Sequence, residues 1–173
     1  MKKYIILLLA VTTIFAKKDA EIVIPDNISI SDDKKEVIGT YEVDLKSDEI
    51  YSKTLLWLAL NINDSRASIE YKDKESSKIV GSLNFDPQIN WVGHCKVNYL
   101  IEAKDGRYRI HFTGFELFSM KNLNLREGFF TQKGYEKSYK KRWWPSLFYK
   151  TKLLFDNFHN YLNTQTKKTD DDW

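Results

Sequence analysis

Three histidines, one cysteine and a run of cations among aromatic rings are the residues of this chain whose types could do chemistry. Histidines ligate metals and move protons near neutral pH, so the first question is whether His94, His111 and His159 can meet. Asp105-Gly106 between two alternating apolar runs marks a two-residue hairpin turn. Such a turn pairs Lys104 with Arg107, and paired positions then sum to 211. His111 falls opposite Leu100 and His94 opposite Leu117, on one face but six residues apart along the strand. At about 3.3 Å per residue that is roughly 20 Å, too far for shared coordination. His159 belongs to a later helix on the other side of the sheet. No metal or cofactor site is expected, and all three read as satisfied surface histidines.

Cys95 stands alone, so no intramolecular disulfide can form. Its place within a strand reads as a small buried hydrophobe. The chain has no glycine-rich phosphate loop, nucleophile elbow, paired-cysteine zinc spacing or HExxH helix. Acidic residues are plentiful, but nothing marks two of them as a catalytic pair. The expectation is a protein that is not an enzyme. One local cluster suits a surface: Lys137, Lys140, Lys141 and Arg142 around Tyr139, followed by Trp143 and Trp144. Cations with tryptophans ahead of an amphipathic helix fit an anionic membrane surface, or an anionic glycan. Set against this, and favoured over it, is a structural role in which the tryptophans staple the helix to the core and the cations hydrate.

The elements that would position these residues follow from the pattern along the chain. Lys2 and Lys3, the apolar run Tyr4 to Phe15 and the small Ala16 give the order of a cleavable signal peptide. The run is shorter than the ~20 residues a spanning helix needs. Cleavage is expected after Ala16, although Ile14 is large for the third position before a cut. No cysteine follows the run to take a lipid. Of the 27 basic residues, 25 remain after Lys2 and Lys3 are removed, against 24 acidic ones. That near-neutral balance argues against nucleic acid as a partner.

A polar lead-in covers 17–36, with Ile22 to Pro25 as a candidate flanking strand. Val37 to Leu45 alternates as a strand. Ser47 then reads as the N-cap of a helix over Asp48 to Asn63, with Asp48 and Glu49 at its positive end. Its stripe is Tyr51, Leu55, Leu58 and Ile62, with Leu56, Trp57 and Leu60 off it, so a sheet and a second helix should both cover it. Four strands follow: Ala67 to Asp73, Lys78 to Phe85, His94 to Ala103 and Arg107 to Leu117. Cys95, Val97, Tyr99, Ile101, Tyr108, Ile110 and Phe112 should face the core. His94, Lys96, Asn98, Glu102, Arg109, His111 and Thr113 should form a polar, solvated face. Residues 118–143 lack periodicity and read as a long irregular connection. A last helix enters at Pro145, with Leu147, Phe148, Leu154, Phe155, Phe158, Tyr161 and Leu162 as its apolar face. Residues 164–173 read as a disordered tail.

The expected architecture is α+β: an antiparallel sheet of about five strands with two helices on one face, in the order β-α-β-β-β-β-α. It spans 37–163 as a single domain. Within it, Ser47-Asp48-Glu49-Ile50-Tyr51 opening a helix that carries Trp57, Ile69 to Glu75, Lys78-Ile79-Val80-Gly81, Glu102 to Arg109 and Phe112-Thr113 form a recognisable set. On these pieces Tyr41 to Phe118 resembles the secreted bacterial domain of unknown function number 4468, with its TATA-binding-protein-like (TBP-like) fold. The resemblance implies the fold and a signal peptide, but no activity and no functional residues. Duplex binding would follow only by analogy of fold. The expected function is an exported, non-catalytic binding or interaction module of the periplasm or envelope, with an envelope protein or glycan as partner. The alternatives are peripheral membrane or glycan docking through 137–144, and a hydrolase with scattered catalytic residues.

Overall fold

The structure, a computed structural model, describes residues 22–61, 67–128 and 132–166. The segment expected as a signal peptide, Ile62 and residues 167–173 lie outside these. Strands β1 (Ile28–Ile30), β2 (Glu36–Glu42), β3 (Ala67–Asp73), β4 (Lys78–Phe85), β5 (Val92–Lys104) and β6 (Arg107–Ser119) form one antiparallel sheet. Its order is β1-β2-β6-β5-β4-β3, so β2 pairs with β6 across the whole meander. Helix α1 (Ser47–Asn61) packs against β5, β6 and a long helix, α4 (Trp144–Thr166), which in turn packs on β2.

The expected α+β architecture is what forms, with six strands in place of about five. The extra strand lies within the stretch expected as a polar lead-in. It is Ile28–Ile30, not Ile22 to Pro25, and three residues are too few for alternation to be legible. The connection expected over 118–143 is also largely ordered. Strand β6 runs to Ser119, and α2 (Leu125–Gly128), α3 (Gln132–Ser138) and a π-helical turn (Tyr139–Trp143) lead into α4. Helix α4 extends through Thr166, beyond the expected end at Asn163.

The π-turn has a local cause. Pro145 has no N–H for the Lys141 carbonyl, and its ring would clash with that carbonyl in a regular helix. The backbone widens instead, and the Trp144 N–H reaches back to the Tyr139 carbonyl.

Ser47 does not cap α1, as the sequence suggested, because it is already the first helical residue. The Glu49 carboxylate accepts the Lys46 N–H at 2.9 Å, and Asp105 Oδ1 accepts the Ser47 N–H at 2.8 Å. Two of the four orphan donors of a helix start are thereby satisfied, one of them from the β5–β6 turn. That turn is stitched to the same segment by Val43 N–H to Gly106 O and Gly106 N–H to Leu45 O, both 3.0 Å. The inward face of α1 also differs from the expected stripe. Ile50, Tyr51, Thr54, Trp57 and Leu58 are buried, whereas Leu56 and Leu60 are exposed.

The core lies between the helices and one sheet face. Phe155 of α4 meets Phe112 of β6 at 5.0 Å between ring centres. Its approach to β2 requires Gly39, where a Cβ would stand 2.7 Å from the Phe155 ring.

Candidate functional site

Three groups of residues could carry function: a Tyr–His cluster under α4, the basic-aromatic segment, and the sheet face away from the helices. In the first, Tyr41 of β2 stacks on Tyr108 of β6 at 5.4 Å. The Tyr108 hydroxyl lies 3.1 Å from His159 Nδ1, and His159 Nε2 lies 3.0 Å from Asn163 Nδ2. An amide NH2 only donates, so Nε2 accepts and the ring proton is assigned to Nδ1, donated to the Tyr108 oxygen. His159 is therefore a part-buried bridge between α4 and the sheet, not the surface histidine expected. Burial pushes the Tyr108 hydroxyl far up and Tyr41 up to about 12, so neither ionises near neutral pH. Burial likewise holds His159 below its ordinary 6.5, against an opposing pull from the Asp156 carboxylate.

The sign of the resulting pH effect follows. A histidine depressed in the folded state is protonated first in the unfolded chain, so stability falls as pH drops below about 6.5. Thermal unfolding followed from pH 7 to 5 should show a steeper loss of midpoint in the wild type than in His159→Gln. Identical slopes would assign the acid response to other groups.

Cys95 is fully buried, and its thiol is pushed far above the usual range by burial first and by the Glu116 charge second. Among the described residues no group of His, Cys, Asp or Glu is placed to hold a metal ion. His94 and His111 do share the outer sheet face. The register differs from the expected one beyond Asn98, because Gly114 (φ 66°) introduces a bulge. His94 consequently pairs with Phe118, not Leu117, and stacks on its ring at 4.6 Å.

In the basic-aromatic segment, Lys137, Lys140, Lys141 and Arg142 are exposed, whereas Trp143 and Trp144 are buried. Trp144 meets Phe115, Phe148 and Tyr139, and Trp143 packs edge-on against Tyr135. The cations and the rings thus point to opposite sides of the element. No described helix is long and apolar enough to cross a membrane.

The outer sheet face holds a feature that no single strand displays. The pairings Tyr71–Val80, Val80–Leu100, Leu100–His111 and His111–Ile38 place five side chains in one row across β3, β4, β5, β6 and β2. Paired residues of antiparallel strands share a face, so Tyr71, Val80, Leu100 and Ile38 form an apolar band with His111 inside it. The expected polar face is therefore corrected: its polar residues flank this band. On one side lie Lys78, Glu102, Arg109 and Thr40, with Lys78 Nζ 3.0 Å from Glu102 Oε1. On the other lie Ser82, Asn98, Thr113 and Glu36, whose Oε2 is 3.8 Å from His111 Nε2. Helices α1 and α4 pack on the opposite face, where Phe155 and Phe158 meet Phe112 and Tyr108.

This arrangement, four meandering strands behind a helix and an open sheet face, is the one the family comparison covers. Residues 42–118 match the model of a domain of unknown function (DUF4468) with TBP-like fold. The DUF4468 match runs from the end of β2 to Phe118, so it includes Tyr71, Val80, Leu100 and His111 but not Ile38. A crystal structure of a DUF4468 family protein from Bacteroides ovatus is similar at a TM-score of 0.53 and 12% identity, over 79% of this chain and 91% of that one. A TBP-like protein from Parabacteroides distasonis gives a TM-score of 0.49 at 13% identity, over 78% and 96%. The fold is TBP-like. No curated protein matches the chain.

Proposed function

We propose that this chain is an exported, non-catalytic interaction module of the bacterial envelope that docks a protein partner on its outer sheet face. The apolar band Tyr71–Val80–Leu100–Ile38 carries this reading. A solvated antiparallel face normally alternates its apolar residues inward, yet here four strands each turn one outward at the same level. Tyr71 is 57% exposed at the end of the band, and an aromatic ring among aliphatic side chains with a polar rim is what interface centres are made of. The order Lys2-Lys3, apolar run, Ala16 supports export.

A benzophenone amino acid at position 100 of the full chain should cross-link a discrete partner in the envelope fraction. The same probe at Tyr149, exposed on α4, should not. Val80→Glu beside the probe should remove the adduct while the chain stays folded, a change at this partly buried position costing about 1–2 kcal/mol. Equal adducts from positions 100 and 149 would overturn the reading.

A further inference from the structure

We propose a binding site for a neutral saccharide at one end of the outer sheet face, separate from the apolar band. The β4–β5 connection and the segment after β6 meet there around an open cavity of about 790 Å³. Its polar lining is Asn84, Asp86, Gln88, Asn90, His94 and Asn122, with neither lysine nor arginine among its lining residues. Trp91, in the chain between the lining residues Asn90 and Val92, has 79% of its surface exposed.

The lining selects a ligand class. Each carboxamide both donates and accepts, and so does each sugar hydroxyl, so the two sets satisfy one another in pairs. An anion would find no cation in this cavity, and an apolar ligand would strip water from the amides with nothing returned. Asn84 Oδ1 is buried in the cavity wall without a hydrogen-bond partner among the described residues, so rotation of its carboxamide toward the cavity would offer an unsatisfied acceptor to a donor there. An exposed indole offers the flat apolar surface on which the C–H face of a pyranose stacks.

The backbone points the same way. Five non-glycine residues among those described have positive φ; Gln88 (53°) and Asn122 (59°) line this cavity, and Trp91 (73°) sits in the chain between its lining residues Asn90 and Val92. Asparagine tolerates that conformation, but for a bulky residue such as tryptophan it is an outlier that the surroundings must enforce. Here they do. Val92 N–H donates to Ile89 O at 3.0 Å and Asn122 N–H to Ser119 O at 2.9 Å, while Ser119 Oγ accepts from Lys121 and Leu123 N–H at 3.2 Å each. Asp86 Oδ1 takes the Gln88 N–H at 2.7 Å. Gly93 lies so close to Ser119 O that a Cβ would stand 2.8 Å from it, which ties the two loops together. The backbone that carries the exposed ring is thus held in one place, which lowers the cost of ordering the ring on a ligand.

The test is saturation-transfer NMR of the full chain with chitotriose, cellotriose, maltotriose and, as an acidic arm, sialyllactose. At least one neutral trisaccharide should receive saturation. Trp91→Ala should weaken it about tenfold, the order of one lost stacked ring, and Asn84→Ala by up to about tenfold, the order of one lost hydrogen bond. Trp91→Gly relieves the backbone while removing the indole, so it should keep the unfolding midpoint and still lose the sugar. No transfer to any neutral trisaccharide, transfer to sialyllactose alone, or undiminished binding by Trp91→Gly would each overturn the proposal.

Discussion

Phe158→Ala is expected to lower the free energy of unfolding by about 3–5 kcal/mol, the range for deleting a buried aromatic ring. The Phe158 side chain is fully buried, and its ring sits 5.0 Å from Trp57 of α1 and 5.1 Å, edge-on, from Tyr108 of β6. It is therefore the point at which α4, α1 and the sheet meet, and its loss opens a cavity that none of the three can close without moving the other two. Domains of this size are stable by only about 5–15 kcal/mol, so the variant should be near its unfolding threshold. Urea denaturation with an unchanged slope would show that the loss is one of stability and not of cooperativity. A change below ~1 kcal/mol would mean that the helices repack around the gap.

Trp144→Ala should cost a similar ~3–5 kcal/mol. The ring is 2% exposed and touches Phe115 of β6 at 6.1 Å, Phe148 of α4 at 6.1 Å and Tyr139 of the π-turn at 6.2 Å. It fixes the start of α4 where Pro145 prevents regular helical bonding, so its removal should loosen the π-turn as well as the core. Trp144→Phe should recover part of the loss. Had the ring served a membrane or glycan surface instead, truncation would leave the denaturation curve in place and abolish only adhesion.

The sequence pattern carried some of this and concealed the rest for identifiable reasons. Asp105-Gly106 set the β5–β6 register correctly as far as Asn98–Thr113, because a two-residue turn leaves one pairing. Gly114 then added one residue to β6. A glycine inside a strand pattern signals a bulge, and that signal could have moved the partner of His94 from Leu117 to Phe118. Trp57 falls off the expected α1 stripe because leucines surround that helix and periodicity alone cannot rank them. Burial of Trp57 against Phe158 depends on α4, nearly a hundred residues later. Helices α2 and α3, at four and seven residues, are shorter than the window in which a helical period shows.

The two candidate surfaces were the least legible. Tyr71, Val80, Leu100 and Ile38 become a band only when strands are laid side by side, and along its own strand each is a single exception. The cavity at the β4–β5 connection joins Asn84 to Asn122 through loops that no local motif connects.

The sheet's order has a consequence for how anything can attach. Its two edge strands are β1 and β3. Strand β1 offers three residues, too few to template another strand. Strand β3 is interrupted by the irregularity between Ile69 and Tyr71 and carries Glu70, Lys72 and Asp73. Bulges, charges and shortness are the devices by which proteins discourage strand addition. An incoming polypeptide is thus refused backbone pairing at both margins, and must be recognised through side chains standing on the sheet.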